Sequence, residues 1–426
     1  MKNNSIDMSR GLGEVDGRHL SKVLGWPFVA MAALWIALSL SGCATQSLDR
    51  ADAVAGAATW ASPTVPVHEE LLARNSADRF GDDSIGGSGN SVPSYGSSVS
   101  AMPPGERYEG ELVDGKREGY GVLVVPQVSR YEGYFEQGQY EGPGKLTLAN
   151  GDVYEGEFSA GLQHGYGKFV SEEGFVYRGN YKNGVPHGTG TLKTASGVRY
   201  EGEFHHGKKQ GYGVQIEPGL GRYEGHFRDD KYDGHGKFVF DSGNTYEGEF
   251  KEGYWDGYGQ FVKRDGLVYR GQYRRGVPHG FGTVKIAGMG VFQGELENGV
   301  KDGYGIQTEP GRGQYVGYFK NDKYDGLGTY RFENGDVYEG EFKDGYWNGQ
   351  GVLSLSNGVK YRGEFRNGRY HGEGKLVFPG GTVYKGGFRN GMRHGEGLCI
   401  NEDARVPCIY RYNRKVNLDV KGGIFL

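Results

Sequence analysis

From Tyr108 onward the chain repeats the pattern Y-x-G-x-F-x-x-G-x-x-x-G-x-G every 23 residues. The first position falls at Tyr108, Tyr131, Tyr154 and so on to Tyr384, with Phe292 replacing Tyr once, and thirteen units run in register without an insertion. A period of this size means one supersecondary unit that buries its apolar face by stacking on copies of itself. Composition narrows the choice. The chain has 80 Gly but only 14 Pro and no Gly-X-Y triplet, which excludes collagen. With 31 Tyr and 21 Phe it is too aromatic for a disordered linker.

Each unit reads as a β-hairpin. In the first strand Tyr154, Gly156 and Phe158 alternate onto one face, and Glu155 and Glu157 onto the other. Gly165 and Gly167 open the second strand and leave bare backbone for neighbouring aromatic rings to cover. Between units, Asn150-Gly151, Ser196-Gly197 and Asn334-Gly335 are expected to supply the positive φ of two-residue hairpin turns. A longer period is superimposed. The string GDVYEGEF occurs at 151–158 and again at 335–342, eight units later. DKYDG recurs at 230–234 and 322–326, and Arg178, Arg270 and Arg362 replace the usual Glu at the second position of every fourth unit. The array is therefore three copies of a 92-residue block, at 108–199, 200–291 and 292–383, plus one last unit. Duplication and selection for a periodic surface both produce this pattern.

The signature YEGEF…GxGxG resembles that of MORN-repeat proteins. The resemblance covers residues 108–406 and implies an all-β fold: an elongated, twisted, single-layer antiparallel sheet with two strands per repeat. It also implies a scaffolding module, often dimeric. Some family members have been credited with phospholipid binding, which an acidic chain disfavours for anionic lipid. Residues 407–426 are expected to cap the open edge, since an uncovered edge invites unwanted pairing.

The N-terminal region reads differently. Residues 23–42 carry no charge and follow Arg10, Arg18 and Lys22, the layout of a secretory signal over 1–42. They end in Leu40-Ser41-Gly42-Cys43, which resembles a bacterial lipobox. This implies lipidation, palmitate included, at Cys43, and Ala44 after it implies outer-membrane sorting. The alternative is an uncleaved anchor, since twenty apolar residues can just span a bilayer. Either reading tethers the chain to a membrane in the cell envelope. Residues 43–107, rich in Gly, Ser and Pro, read as a flexible linker. Cys399 and Cys408, on strands read as neighbours in an oxidising compartment, are expected to form a disulfide, with two unpaired thiols as the alternative.

Function classes follow by exclusion. A net charge of −4 and a pI near 6.3 give no electrostatic footprint for nucleic acid. Glu155/Glu157 and Glu201/Glu203 would suit acid–base chemistry, but the pair recurs in five units, whereas a catalytic pair needs one site with split environments. The eleventh position is polar throughout, His164, His187, Asp233 and Asp256 among them. Members two strands apart stand about 9–10 Å from each other, too far to share a metal, so a turn-stabilising role is expected. The sequence carries no Walker, GxSxG or HExxH motif. The chain reads as a non-enzyme without cofactor or metal. Candidate partner-binding residues are Tyr254-Trp255 and Tyr346-Trp347, read as lying in the segment between the two strands of their units, and Arg178, Arg270 and Arg362 on the Glu face. Trp packing over a hairpin and cross-strand ion pairing of the arginines are the competing readings. The expected partner is an envelope protein or a second copy, with a glycan as the alternative.

Overall fold

The computed structural model describes residues 105–416. The signal segment, Cys43 and most of the linker lie outside the described residues. Within them the fold is all-β: 28 strands, from β1 (Arg107–Val113) to β28 (Arg414–Val416), form one open antiparallel sheet without a helix. Two compact bodies can be distinguished, residues 105–284 and 285–416. Each is built on the same plan.

Unit three shows the plan. β5 (Val153–Ser159) turns back as β6 (Leu162–Val170), which pairs with β7 (Val176–Lys182) of the next unit. The tight two-residue turn is the one inside the unit. Ala160 and Gly161 both have positive φ, 48° and 81°, as a type I′ turn demands. Asn183-Gly184 and Asp344-Gly345 repeat it. This corrects the expectation for Asn150-Gly151. Only Gly151 there has positive φ. Leu148 donates its N–H to the Asp152 carbonyl and Gly151 donates to that of Leu148, so the connection between units is a longer loop closing on an αL glycine.

The two strands of a unit are not in simple register. Gly156 faces Gly167, yet Glu157 faces His164, so Gly165 and Tyr166 are extra residues in a bulge. Gly165 takes φ +57°, which explains the glycine there. Beyond the bulge, Gly156 and Gly167 lie under the Tyr154 ring. A Cβ on Gly167 would stand 2.3 Å from the Tyr154 Oη. The expected covering of bare backbone is found, with Gly156 and Gly167 as the covered pair.

The leading tyrosines form the core. Tyr131, Tyr154, Tyr177, Tyr223, Tyr246 and Tyr338 are almost fully buried. Each meets the fifth-position aromatic of its own unit and that of the following one edge-on, as Tyr177 meets Tyr181 and Phe204, both at 5.1 Å. Such pairs add about 0.5–1.5 kcal/mol each beyond the area they bury. The phenol is satisfied locally: Tyr154 Oη donates to the Glu157 carbonyl at 2.9 Å, beside the bulge, and Tyr246 Oη to that of Glu249 at 3.0 Å.

At the C-terminal end the sheet continues, among the described residues, into the segment expected to cap it, whose last ten residues lie outside them. β27 (Arg405–Arg411) pairs with β26 (Met392–Ile400), and β28 adds three residues after a turn at Tyr412-Asn413. A disulfide joins Cys399 on β26 to Cys408 on β27, with Cα atoms 6.0 Å apart.

Candidate functional site

Trp255 and Trp347 are not exposed anchors. They lie in β14 (Tyr254–Val262) and β22 (Tyr346–Ser354), after turns at Glu252-Gly253 and Asp344-Gly345, and not in the connecting segment. Their exposures are 6% and 3%. Trp255 stacks on Tyr246 at 4.1 Å with the planes 1° apart, and Trp347 on Tyr338 at 4.5 Å and 8°. Their ring faces are occupied within the core. Tyr254 is half-buried, and Tyr346 is 40% exposed.

The tenth position explains the burial, because it caps the leading ring in unit after unit with different chemistry. Tyr140 and Tyr232 stack on Tyr131 and Tyr223 at 3.8 and 3.9 Å. Elsewhere a cation takes the place: Lys209 Nζ lies 5.5 Å from the Tyr200 centroid, and Lys301 Nζ 5.2 Å from that of Phe292. Lys209 also donates to Gln215 Oε1 at 2.9 Å, which keeps its buried charge hydrogen-bonded.

Burial makes the phenols hard to ionise. It pushes Tyr384 and Tyr330 up to about 12, and raises Tyr131 and Tyr246 too. The folded chain therefore holds these protons to higher pH than the unfolded chain does. The stability they contribute is complete below the ordinary phenol range near pH ~10 and is lost as pH climbs through it. The urea midpoint is expected to be flat from pH ~7 to ~9 and to fall steeply above ~10. An unchanged midpoint at pH ~11 would contradict a buried tyrosine core.

Eleventh-position side chains hold turns, as expected for the carboxylates and amides. Glu141 accepts from the Ala160 N–H at 2.8 Å, Asp233 from Glu252 at 3.2 Å and Asp256 from Arg275 at 3.1 Å, each in the following unit. At His187, His279, His371 and His394 the buried ring Nδ1 makes no hydrogen bond. Among the described residues no group of three His, Cys, Asp or Glu is placed to hold a metal ion.

The opposite face carries the paired glutamates, and their fourth-position members serve the bulge: Glu203 accepts from the Tyr212 N–H at 3.2 Å and Glu341 from Gln350 at 2.9 Å. Arg178, Arg270 and Arg362 are exposed there. Their register partners are Lys168 and Thr191 for Arg178, Gln260 for Arg270, and Val352 and Lys375 for Arg362. None of these register partners is a carboxylate.

Sequence reasoning missed the aromatic row on this face. The bulge turns the residue between its two glycines outward, and in residues 105–284 that residue is aromatic at Tyr120, Tyr166, Tyr212, Tyr258 and Phe281, all 47–64% exposed, with Pro143, Thr189 and His235 in the units between. In residues 285–416 the apolar ones are Tyr304 and Leu327, and the other units carry Gln350, Glu373 and Glu396 there. The signal was the 46-residue recurrence of Tyr inside G-x-G.

Hairpin units, a buried tyrosine core and two regular faces define an open-sheet repeat protein. The MORN repeat model matches thirteen segments between residues 108 and 403, well over half of the chain, and the chain belongs to that family. No curated protein sequence matches it significantly. Among solved structures, the TCP10 domain of Danio rerio CPAP in complex with a STIL peptide is 14% identical, covering 66% of this chain and 92% of its own, with a TM-score of 0.12. The SAS-4 TCP domain of Drosophila melanogaster, in complex with a proline-rich motif of Ana2, is 12% identical, covering 53% and 84%, with a TM-score of 0.13. Virginiamycin B lyase from Staphylococcus aureus is 10% identical, covering 66% and 95%, with a TM-score of 0.12. Scores this low carry no functional argument.

Proposed function

We propose that the chain is a non-catalytic binding scaffold, lipid-anchored at Cys43 to the cell envelope, whose repeat sheet holds an envelope protein or a second copy of itself. The observation that supports it most is the run of thirteen matched repeats. The Leu40-Ser41-Gly42-Cys43 string supports the anchor, and Ala44 an outer-membrane address. The conversion of Cys43 to Ala should abolish palmitate labelling and release the protein from the membrane fraction. Full labelling of that variant would sink the anchor. For the partner, a photo-crosslinker belongs at exposed Arg270, and not at buried Trp347. A discrete protein adduct in living cells is expected, and failure to form any adduct at Arg270 or at Arg362 would overturn the scaffold reading.

A further inference from the structure

The outward aromatic row has a repeating local construction that the fold itself does not need. In unit one, Tyr120 meets Tyr134 of the next unit edge-on at 5.5 Å and 75°, and both are about half exposed. In unit five, Tyr212 meets His226 at 5.6 Å and 81°. Tyr120 donates to Glu132 Oε1 at 2.9 Å, and Arg130 holds the same carboxylate at 2.6 Å. Tyr212 donates to Glu224 Oε1 at 2.8 Å, and Arg222 holds that carboxylate at 2.5 Å. Lys145 and Lys237 stand across the strands from these two glutamates. Between the clusters lies Tyr166, and beyond them Tyr258, so that within residues 105–284 an exposed ring recurs every second unit, four strands or roughly 19 Å apart. A third pair, Tyr304 with Tyr318 at 5.4 Å, occupies the matching place in residues 285–416.

We propose that this row is a binding track for a neutral glycan chain, a function separate from the scaffolding above. Three features select that occupant. Exposed aromatic rings stack on the apolar faces of pyranoses, and Tyr120, Tyr166, Tyr212 and Tyr258 are 47–64% exposed. Glu132 and Glu224 beside them are already answered by Arg130 and Arg222, and Lys237 Nζ lies 3.2 Å from Glu247 Oε2, so the charges at these clusters are paired and do not call for a basic peptide or an anionic lipid. What remains at each cluster is a balanced set of donors and acceptors, suited to hydroxyl groups. Finally, a small ligand calls for one concave pocket, whereas evenly spaced shallow platforms suit a polymer that crosses several of them.

The test is co-sedimentation of the full chain, in detergent, with three neutral polymers, chitin, cellulose and an insoluble β-1,3-glucan. Retention on at least one polymer is expected, and it should persist in high salt because no ion pair carries it. The combined Tyr120→Ser, Tyr166→Ser, Tyr212→Ser and Tyr258→Ser variant should lose about tenfold or more in affinity. The four corresponding Phe substitutions should keep most of it. These side chains are exposed, so the melting temperature of each variant should match that of the parent. The track is refuted if none of the three polymers retains the chain, if the serine variant is retained equally, or if salt strips the complex, which would indicate a charged partner. A drop in sedimentation mass in the serine variant, without polymer retention, would assign the row to self-association instead.

Discussion

Replacing Gly259 by Ala is expected to unfold the unit around it. A Cβ there would stand 2.4 Å from the Tyr246 Oη and 2.7 Å from its Cε2. The ring cannot withdraw, because Trp255 stacks on it at 4.1 Å, while Phe250 and Tyr273 press on it edge-on at 5.1 and 5.3 Å. Expelling it forfeits a buried aromatic, about 3–5 kcal/mol. Contacts in an array reach only adjacent units, so the damage should be local and the unfolding no longer two-state. Hydrogen exchange is the suitable readout. Amides over 245–262 should lose protection while those over 361–400 keep theirs, and unchanged protection over 245–262 would refute the ring-over-glycine account.

The second large effect concerns Trp255. Its conversion to Ala should cost about 3–5 kcal/mol locally, since it removes the cap from Tyr246. Conversion to Tyr should cost under about 1.5 kcal/mol, because volume and flatness are nearly kept and Tyr232 fills the same place on Tyr223. An exposed partner anchor would behave in the opposite way, with stability intact in the alanine variant and partner binding lost. Denaturant melts of the two variants separate these readings without any knowledge of the partner.

The contrast between Trp255 and the leading tyrosines shows what the sequence could and could not convey. Tyr154, Gly156 and Phe158 recur as identical letters, so periodicity alone puts them on one face, and their burial follows. The tenth position recurs as a role. Trp255, Tyr232 and Lys209 share only the ability to sit on an aromatic ring, by stacking or by charge, and a reader comparing letters sees variation where the fold sees one requirement. Tyr166 was hidden for a different reason. The G-x-G string drew attention to its glycines, and only the two-residue bulge reveals that the residue between them is pushed into solvent. The turns were misplaced because Asn-Gly occurs at both kinds of connection, between units at Asn150-Gly151 and as a type I′ turn inside one at Asn183-Gly184. The type I′ sites at Ala160-Gly161 and Glu252-Gly253 carry weaker first residues, and they can do so because the unit before them bonds to their backbone.

That last bond gives the array a direction. The Ala160 N–H is held by Glu141, and the Gly161 N–H by the Tyr140 carbonyl at 2.9 Å, both from the preceding unit. The same holds for Glu252 and Gly253, through Asp233 and Tyr232. Like overlapping roof tiles, each hairpin tip is pinned by its predecessor and pins its successor. The two ends of the chain are thus unequal. Removing units from the C-terminal side leaves every surviving tip fastened, whereas removing them from the N-terminal side always exposes a tip that has lost its fastening. A chain that emerges N-terminus first therefore grows in the fastened sense, with each new hairpin meeting a neighbour able to hold it.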